Sequence, residues 1–137
     1  MAYFVGAILA LMVSLFARFV GLDRDRAFYP TVLVVIASYY DLFAILGGSL
    51  QALILETSML GAFILASAIG FRLNLWLVAA ALAAHGIFDF VHAGLISNAG
   101  VPVWWPMFCL AYDVVAAAYL AWLLSRSVIP AKNERVG

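Results

Sequence analysis

Residues 73–96 read LNLWLVAAALAAHGIFDFVHAGLI, an apolar run whose second half is interrupted by His85, Asp89 and His92. A helix needs about 20 mostly apolar residues to cross a bilayer, and this run is long enough. A charged side chain at the bilayer centre costs about 2.5–3.5 kcal/mol on insertion scales, so ionisable residues in such a run indicate function. The stretch therefore predicts a membrane-spanning helix that carries a polar site.

The rest of the chain has the same apolar character. Of its 137 residues, 68% are hydrophobic and 10% are charged, far from the usage of soluble domains. A chain this short cannot hide so much apolar surface, which excludes a water-soluble globule. Seven basic residues balance seven acidic ones, so no net positive field is present to bind nucleic acid. The single cysteine, Cys109, cannot form an internal disulfide.

Hydropathy predicts an all-α integral membrane protein with one domain, a bundle of five transmembrane helices. The first run lacks a basic n-region and a cleavage site, so we interpret it as a retained helix rather than a signal peptide. The region 31–70 leaves two alternatives open: two short helices that turn at Gly47, Gly48 and Ser49, or one helix with a kinked or re-entrant partner. The five helices are expected near residues 3–20, 31–46, 49–69, 73–96 and 103–124.

The distribution of basic residues predicts the orientation. With five helices and the N-terminus outside, every Lys and Arg falls on the cytoplasmic side, as the positive-inside rule requires. Four helices would divide them between the two sides. We therefore expect a cytoplasmic C-terminus and a multi-pass protein of the bacterial inner membrane. The basic residues are Arg18, Arg24, Arg26, Arg72, Arg126, Lys132 and Arg135, and the acidic residues predicted on that side are Asp23, Asp25 and Glu134.

Six ionisable residues fall inside the predicted helices, at similar depths in the outer half of the membrane. On the fourth helix, the spacing i, i+4, i+7 places His85, Asp89 and His92 on one face. None of these six can be neutralised by Lys or Arg at that depth, because those residues lie near the inner ends. The six residues are Asp41, Glu56, His85, Asp89, His92 and Asp113.

Imidazole and carboxylate groups together favour a divalent metal, namely zinc, iron or manganese. The expected ligands are His85, Asp89, His92, Asp113 and Glu56, and Asp89 and Glu56 are the candidate catalytic carboxylates. The ligand count resembles that of di-iron carboxylate bundles, but their Glu-x-x-His motif is absent. The alternative is a structural hydrogen-bond network that ties the helices together.

Three further residues are secondary candidates. Cys109 lies one turn before Asp113, where it is either an additional soft ligand or nucleophile, or a small buried thiol. Asp41 follows Tyr39 and Tyr40, whose hydroxyls, with that of Tyr112, either hydrogen-bond to the site or lie at the membrane interface. The first helix is almost purely apolar, so we expect it to face lipid or another subunit.

The run His85, Asp89, His92, a loop with Pro102 and Pro106, and then Cys109 and Asp113 resembles a family of small uncharacterised bacterial multi-span membrane proteins, known as a domain of unknown function. The resemblance covers roughly residues 31–124, including Glu56, and implies that these polar positions form a family motif. It implies no activity. The Val-Trp-Trp segment between the prolines departs from the longer, Ser/Thr-rich stretch of that family.

Three hypotheses about function follow. The first is a metal site whose bound ion acts on a lipidic or other membrane-soluble substrate. The second is a transporter or channel for protons or a divalent cation, although no ionisable residue continues the path into the inner half of the membrane. The third is a non-catalytic accessory subunit of a membrane complex. Because so much of the surface is apolar, we expect either a homo-oligomer or a subunit of a membrane complex.

Overall fold

The structure is a computed structural model and describes residues 1–132; the predicted locations of Glu134 and Arg135 lie outside the described residues. Its five helices are each long and apolar enough to cross a bilayer, which confirms the predicted all-helical, five-helix architecture. The helices are α1 (Ala2–Val20), α2 (Phe28–Leu46), α3 (Leu50–Arg72), α4 (Leu75–Leu95) and α5 (Trp105–Ser125).

The ambiguous region 31–70 forms two separate helices, α2 and α3. The chain turns between them at Gly48, whose positive φ of 67° favours glycine. Ser49 then caps α3, because its hydroxyl oxygen accepts a hydrogen bond from the Ala52 N–H. Helix α2 begins three residues earlier than predicted, since Pro30 falls in its first turn, where the missing N–H costs nothing.

The helices pack in pairs. Helix α5 lies along both α1 and α4, while α3 packs extensively against α2 and less extensively against α4. Gly6 permits the close approach of α1 to α5, because a Cβ built on it would lie 2.2 Å from the Phe108 carbonyl oxygen. Most side chains of α1 that face away from α5 are exposed and apolar. This agrees with the expectation that α1 faces lipid or another subunit, without distinguishing between the two.

We call the end of the bundle with Met1, the turn at 47–49 and the loop at 96–104 the upper end, and the opposite end the lower end. Within residues 1–132, every Lys and Arg lies at the lower end, in or beside the connections there. The expected charge asymmetry is therefore present along the bundle axis. Which end faces the cytoplasm stays a prediction.

Arg26 holds the lower end together. Its guanidinium donates hydrogen bonds to the carbonyl oxygens of Phe71, at the end of α3, and of Pro130, in the segment after α5. Burial lowers the pKa of Arg26 from its ordinary value, because the charged form loses hydration. In the same segment, the carbonyl oxygen of Ala131 accepts a hydrogen bond from the Leu75 N–H. The polypeptide after α5 thus closes the bundle beneath α3 and α4.

Candidate metal centre

A cluster of polar side chains lies in the core of the bundle, between α2, α3, α4 and α5. Each of its members is at most 2% exposed. Buried ionisable groups need partners, because an isolated charge is strongly destabilised away from water. The members are Tyr40, Glu56, His85, Asp89, His92 and Asp113.

The deepest group consists of His85, Asp89 and Asp113, which we call the triad. The Nδ1 atom of His85 lies 2.6 Å from Oδ2 of Asp113 and 3.4 Å from Oδ2 of Asp89. One ligand atom from each of the three residues lies within 4.8 Å of the other two. The described residues therefore contain a buried group that could hold a metal ion.

The helical geometry explains how the triad forms. His85 and Asp89 are four residues apart on α4 and so lie on the same face. Asp113 comes from α5, which approaches α4 closely at Gly86: a Cβ built there would lie 3.3 Å from the Asp113 Cβ. A larger residue at this position would push α5, and with it the Asp113 carboxylate, away from His85.

Each member of the triad has a buried polar atom without a hydrogen-bond partner among residues 1–132. These atoms are Nε2 of His85, Oδ2 of Asp89 and Oδ1 of Asp113. Leaving a buried polar atom unpaired costs about 1–3 kcal/mol, and more when the group is charged. A metal ion, or a proton carried by one carboxyl, could pair with the two carboxylate oxygens. Nε2 of His85 is directed away from the Nδ1 atom that faces these carboxylates, so an ion bound at Nδ1 would not pair with it.

His92 and Glu56 form a separate pair. His92 Nε2 lies 2.7 Å from Glu56 Oε1, which also accepts a hydrogen bond of 3.0 Å from the Asn98 side-chain amide. Along an α-helix, the seven residues from His85 to His92 correspond to about 10 Å. Both histidines lie on the same face of α4, and the group of mutually close ligand atoms contains His85 without His92. The role of His92 and Glu56 as metal ligands stays a prediction.

Tyr40 connects the two groups. Its hydroxyl donates a hydrogen bond of 2.6 Å to Asp89 Oδ1, and its ring stacks on the His92 ring with 4.1 Å between centroids. Its backbone carbonyl also accepts a hydrogen bond from Asn98. The predicted hydrogen bond from a tyrosine to the site is therefore present for Tyr40. Asn98, which lies in the loop before α5, closes the cluster at the upper end.

Aromatic rings surround the histidines. The Phe63 ring meets the His85 ring edge-on at 4.7 Å, and Phe88 meets the His92 ring at 5.4 Å in the same manner. Such packing excludes water, which strengthens electrostatic interactions within the cluster. At the upper end, a shallow cavity of about 360 Å³ reaches His92, and its wall includes Asn98 and Pro102.

The secondary candidates lie outside the triad. The Asp41 carboxylate accepts a hydrogen bond from the Thr57 hydroxyl of α3, because the residue after Tyr40 points about 100° away around the helix. Cys109 is buried as a free thiol one turn above Asp113. Tyr112 lines a groove beside the site. Whether any of them takes part in chemistry stays a prediction.

Two buried polar groups at the lower end were missed by the sequence analysis. Asp23 is 1% exposed and Tyr29 is 2% exposed, and the carboxylate and hydroxyl oxygens lack hydrogen-bond partners among the described residues. Arg18 is the nearest cation to Asp23, at 3.6 Å. Hydropathy assigned Asp23 to a solvated loop, and only the folding of that loop beneath the bundle buries it.

No protein-family model, no curated protein and no solved structure matches this chain.

Proposed function

We propose that this protein is an integral membrane protein that binds a divalent metal ion at His85, Asp89 and Asp113 and uses it for chemistry on a membrane-soluble substrate. The observation that carries the proposal is the burial of two carboxylates and an imidazole within ligand distance, with one unpaired polar atom on each residue. Residues 73–125 contain no Lys or Arg, so no fixed cation on α4 or α5 neutralises the carboxylates. A divalent cation would bind one ligand atom of each of the three residues at once.

The ligand set favours zinc, iron or manganese, which accept both imidazole nitrogen and carboxylate oxygen. Three protein ligands leave at least one coordination position open, as in catalytic rather than structural sites. A bound ion of this kind would supply Lewis acidity and an activated water. Tyr40 would act as a positioning residue, because its hydroxyl orients Asp89 through a hydrogen bond.

Glu56 and His92 are a second group of side chains that can accept or donate a proton, in addition to the triad. They lie nearer the upper end than the triad and are joined to it through Tyr40. We propose that Glu56 holds or releases a proton during the reaction, with His92 as its partner and Asn98 fixing its orientation. This retains Glu56 in a catalytic role without making it a ligand of the same ion.

The proposed setting is the bacterial inner membrane, with the triad nearer the outer face, and membership of the family of small multi-span proteins that the sequence resembles. The substrate would be lipidic, since the triad is buried among helices apolar enough to cross a membrane. Assembly as a homo-oligomer, or as a subunit of a membrane complex, would cover the apolar outer face of α1.

A second candidate function is the passage of protons or a divalent cation. It is favoured by Asp23 and Tyr29, two buried groups that extend the polar side chains toward the lower end and whose oxygens lack hydrogen-bond partners among residues 1–132, with Arg18 lying 3.6 Å from Asp23. Ser14 is also buried at that level. Purified protein in vesicles that dissipates an imposed proton gradient, with loss of the flux in Asp23→Asn, would support this function over the first.

The experiment that tests the metal proposal is metal analysis of the purified protein. Wild-type protein, stripped with a chelator and reloaded separately with zinc, manganese or ferrous ion, should retain one of these metals stoichiometrically. Asp113→Asn should lose it, because the amide removes one charged ligand with little change in shape. Asp41→Asn is the matched control, since Asp41 is a carboxylate of the same bundle that bonds to Thr57 outside the triad.

Two results would contradict the proposal. Wild-type protein that retains none of the three ions has no such site. Equal metal content in Asp113→Asn and Asp41→Asn would show that the ion binds elsewhere. Metal-free protein in which Asp113→Asn lowers only the stability would instead identify the cluster as a structural hydrogen-bond network.

A further inference from the structure

Asp41 and Thr57 form a polar pair on the outer surface of the bundle, between α2 and α3. The Thr57 hydroxyl donates a hydrogen bond to Asp41 Oδ1, and this bond is exposed. Thr57 is an exposed residue and Asp41 is partly exposed, whereas the preceding residue, Tyr40, is buried in the core. The pair therefore places an ionisable group on the outside of helices that are long and apolar enough to cross a membrane.

The height of the pair along the bundle places it among apolar surface residues. Asp41 lies five residues before the upper end of α2, and Thr57 lies seven residues after the upper end of α3. At about 1.5 Å per residue, the pair is about 8–11 Å below those ends. One turn above it on the same helix faces, Ile45 and Ile54 are 61% and 60% exposed. In a bilayer, the pair would therefore face hydrocarbon rather than water.

The charge of Asp41 has no counterpart in the described chain. Every Lys and Arg of residues 1–132 lies at the lower end. Oδ2 of Asp41 is buried and has no hydrogen-bond partner among these residues, so another molecule can reach the carboxylate only from the side of Oδ1. Ionisable residues in membrane-spanning helices almost always face protein rather than lipid. An acidic pair on the outer surface therefore indicates contact with another membrane protein.

The chemistry of the pair specifies what that protein offers. Thr57 has one hydroxyl proton, and it is donated to Asp41. Toward the outside, the pair thus presents only acceptors, namely the lone pairs of Thr57 Oγ1 and of the ionised Asp41 Oδ1. The complementary group is a cationic donor, Lys or Arg. Residues 1–132 of a second copy in the same orientation carry no Lys or Arg at this height.

We propose that the Asp41–Thr57 pair binds a transmembrane helix of a different protein that carries a Lys or Arg at the same depth. The contact would make this chain one subunit of a membrane complex. It does not depend on the proposed metal function, because Asp41 lies outside the triad.

Association with synthetic transmembrane helices tests the proposal. Full-length protein with a donor fluorophore at its C-terminus is reconstituted in phosphatidylcholine vesicles with a Leu/Ala-rich peptide that carries an acceptor fluorophore. One variable residue, Lys, Gln or Leu, stands about 9 Å from one end of the hydrophobic segment of the peptide. Energy transfer is measured against the peptide-to-lipid ratio. We expect the Lys peptide to bind about 3- to 20-fold more tightly than the Gln and Leu peptides, the range for polar contacts between membrane helices.

Variants of the chain locate the contact. Asp41→Asn should abolish the preference for the Lys peptide. Asp25→Asn is the matched control, since it neutralises an exposed acid at the lower end, and it should keep the preference. Thr57→Val should reduce the preference because it removes the hydroxyl, and Thr57→Ser should restore it. If Asp41→Asn fails to fold, the comparison of the three peptides on wild-type protein still decides the matter.

Three results would overturn the proposal. Equal binding of the three peptides to wild-type protein would mean that the pair does not recognise a cation. A Lys preference that persists in Asp41→Asn would place the contact elsewhere. Energy transfer between two labelled copies of the chain, lost in Asp41→Asn and not displaced by the Lys peptide, would mean that a second copy covers the pair. Metal content is measured on the same samples: a Lys preference in metal-free wild-type protein would keep this contact and remove the proposed metal function.

Discussion

Replacing Tyr40 by Phe removes one buried hydroxyl from the connection between the two polar groups. That hydroxyl donates a hydrogen bond of 2.6 Å to Asp89, and both residues are at most 1% exposed. The aromatic ring remains, so its stacking on His92 at 4.1 Å should be kept. The variant therefore isolates one hydrogen bond to a buried carboxyl group.

The magnitude follows from the surroundings of that bond. Hydrogen bonds to charged groups contribute about 1.5–3 kcal/mol in soluble proteins. Bonds between membrane helices average about 0.6 and reach about 1.7 kcal/mol. The other oxygen of Asp89 has no hydrogen-bond partner among residues 1–132, so no second hydrogen bond compensates for the loss of the one from Tyr40. We expect Tyr40→Phe to lower the free energy of unfolding by about 1.5 kcal/mol, near the upper membrane value.

The assay is reversible unfolding in mixed micelles, with Tyr39→Phe as the matched control. Tyr39 is the preceding tyrosine, is 38% exposed and should change stability by less than about 0.5 kcal/mol. A double-mutant cycle with Asp89→Asn should give a coupling energy of about 1 kcal/mol or more.

Metal affinity provides a second readout of the same variant. If the triad binds metal, Tyr40→Phe should weaken binding about 10- to 100-fold, since it removes an orienting hydrogen bond from a ligand. If Tyr40→Phe and Tyr39→Phe have the same stability and the same metal affinity, the assignment of Tyr40 as a positioning residue is refuted.

Three further predictions concern packing and connections. Gly6→Ala should lower the free energy of unfolding by about 1–3 kcal/mol, because its Cβ would collide with the α5 backbone. The control Gly61→Ala should not lower it, because the added Cβ points into open space. Equal unfolding midpoints for the two variants would contradict the prediction. Arg26→Gln should lower the free energy of unfolding by about 2 kcal/mol or more, because it loses hydrogen bonds to two carbonyl oxygens. Proteolysis at the lower end should increase in this variant but not in the control Arg24→Gln, since Arg24 is exposed. Asn98→Leu should cost about 1–3 kcal/mol and accelerate hydrogen exchange at the start of α5; unchanged exchange would argue against its closing role.

The fold was predictable from the sequence because spanning a membrane is a local requirement. A run of about 20 apolar residues must satisfy its backbone groups within itself, and the helix does so without help from other segments. The five runs were therefore identified one by one. The separation of α2 from α3 could not be decided from hydropathy alone, since glycines at 47 and 48 permit a turn without requiring one.

The partners of the ionisable residues were only partly predictable. Helical periodicity placed His85, Asp89 and His92 on one face of α4, but the rise along the axis separates the two histidines. Which of them meets Asp113 and which meets Glu56 depends on the relative heights of α3, α4 and α5. No single helix encodes these heights.

By itself, the sequence determined that five helices are long and apolar enough to cross a membrane, and that acids and imidazoles lie within them. These properties follow from composition and from a period of 3.6 residues, which act within one segment. The tertiary structure alone decided that the polar residues form a triad and a pair joined by Tyr40, that Asp23 and Tyr29 are buried, and that a groove opens beside α1. Each of these depends on how closely helices distant in sequence approach one another, which is set by packing at positions such as Gly6 and Gly86.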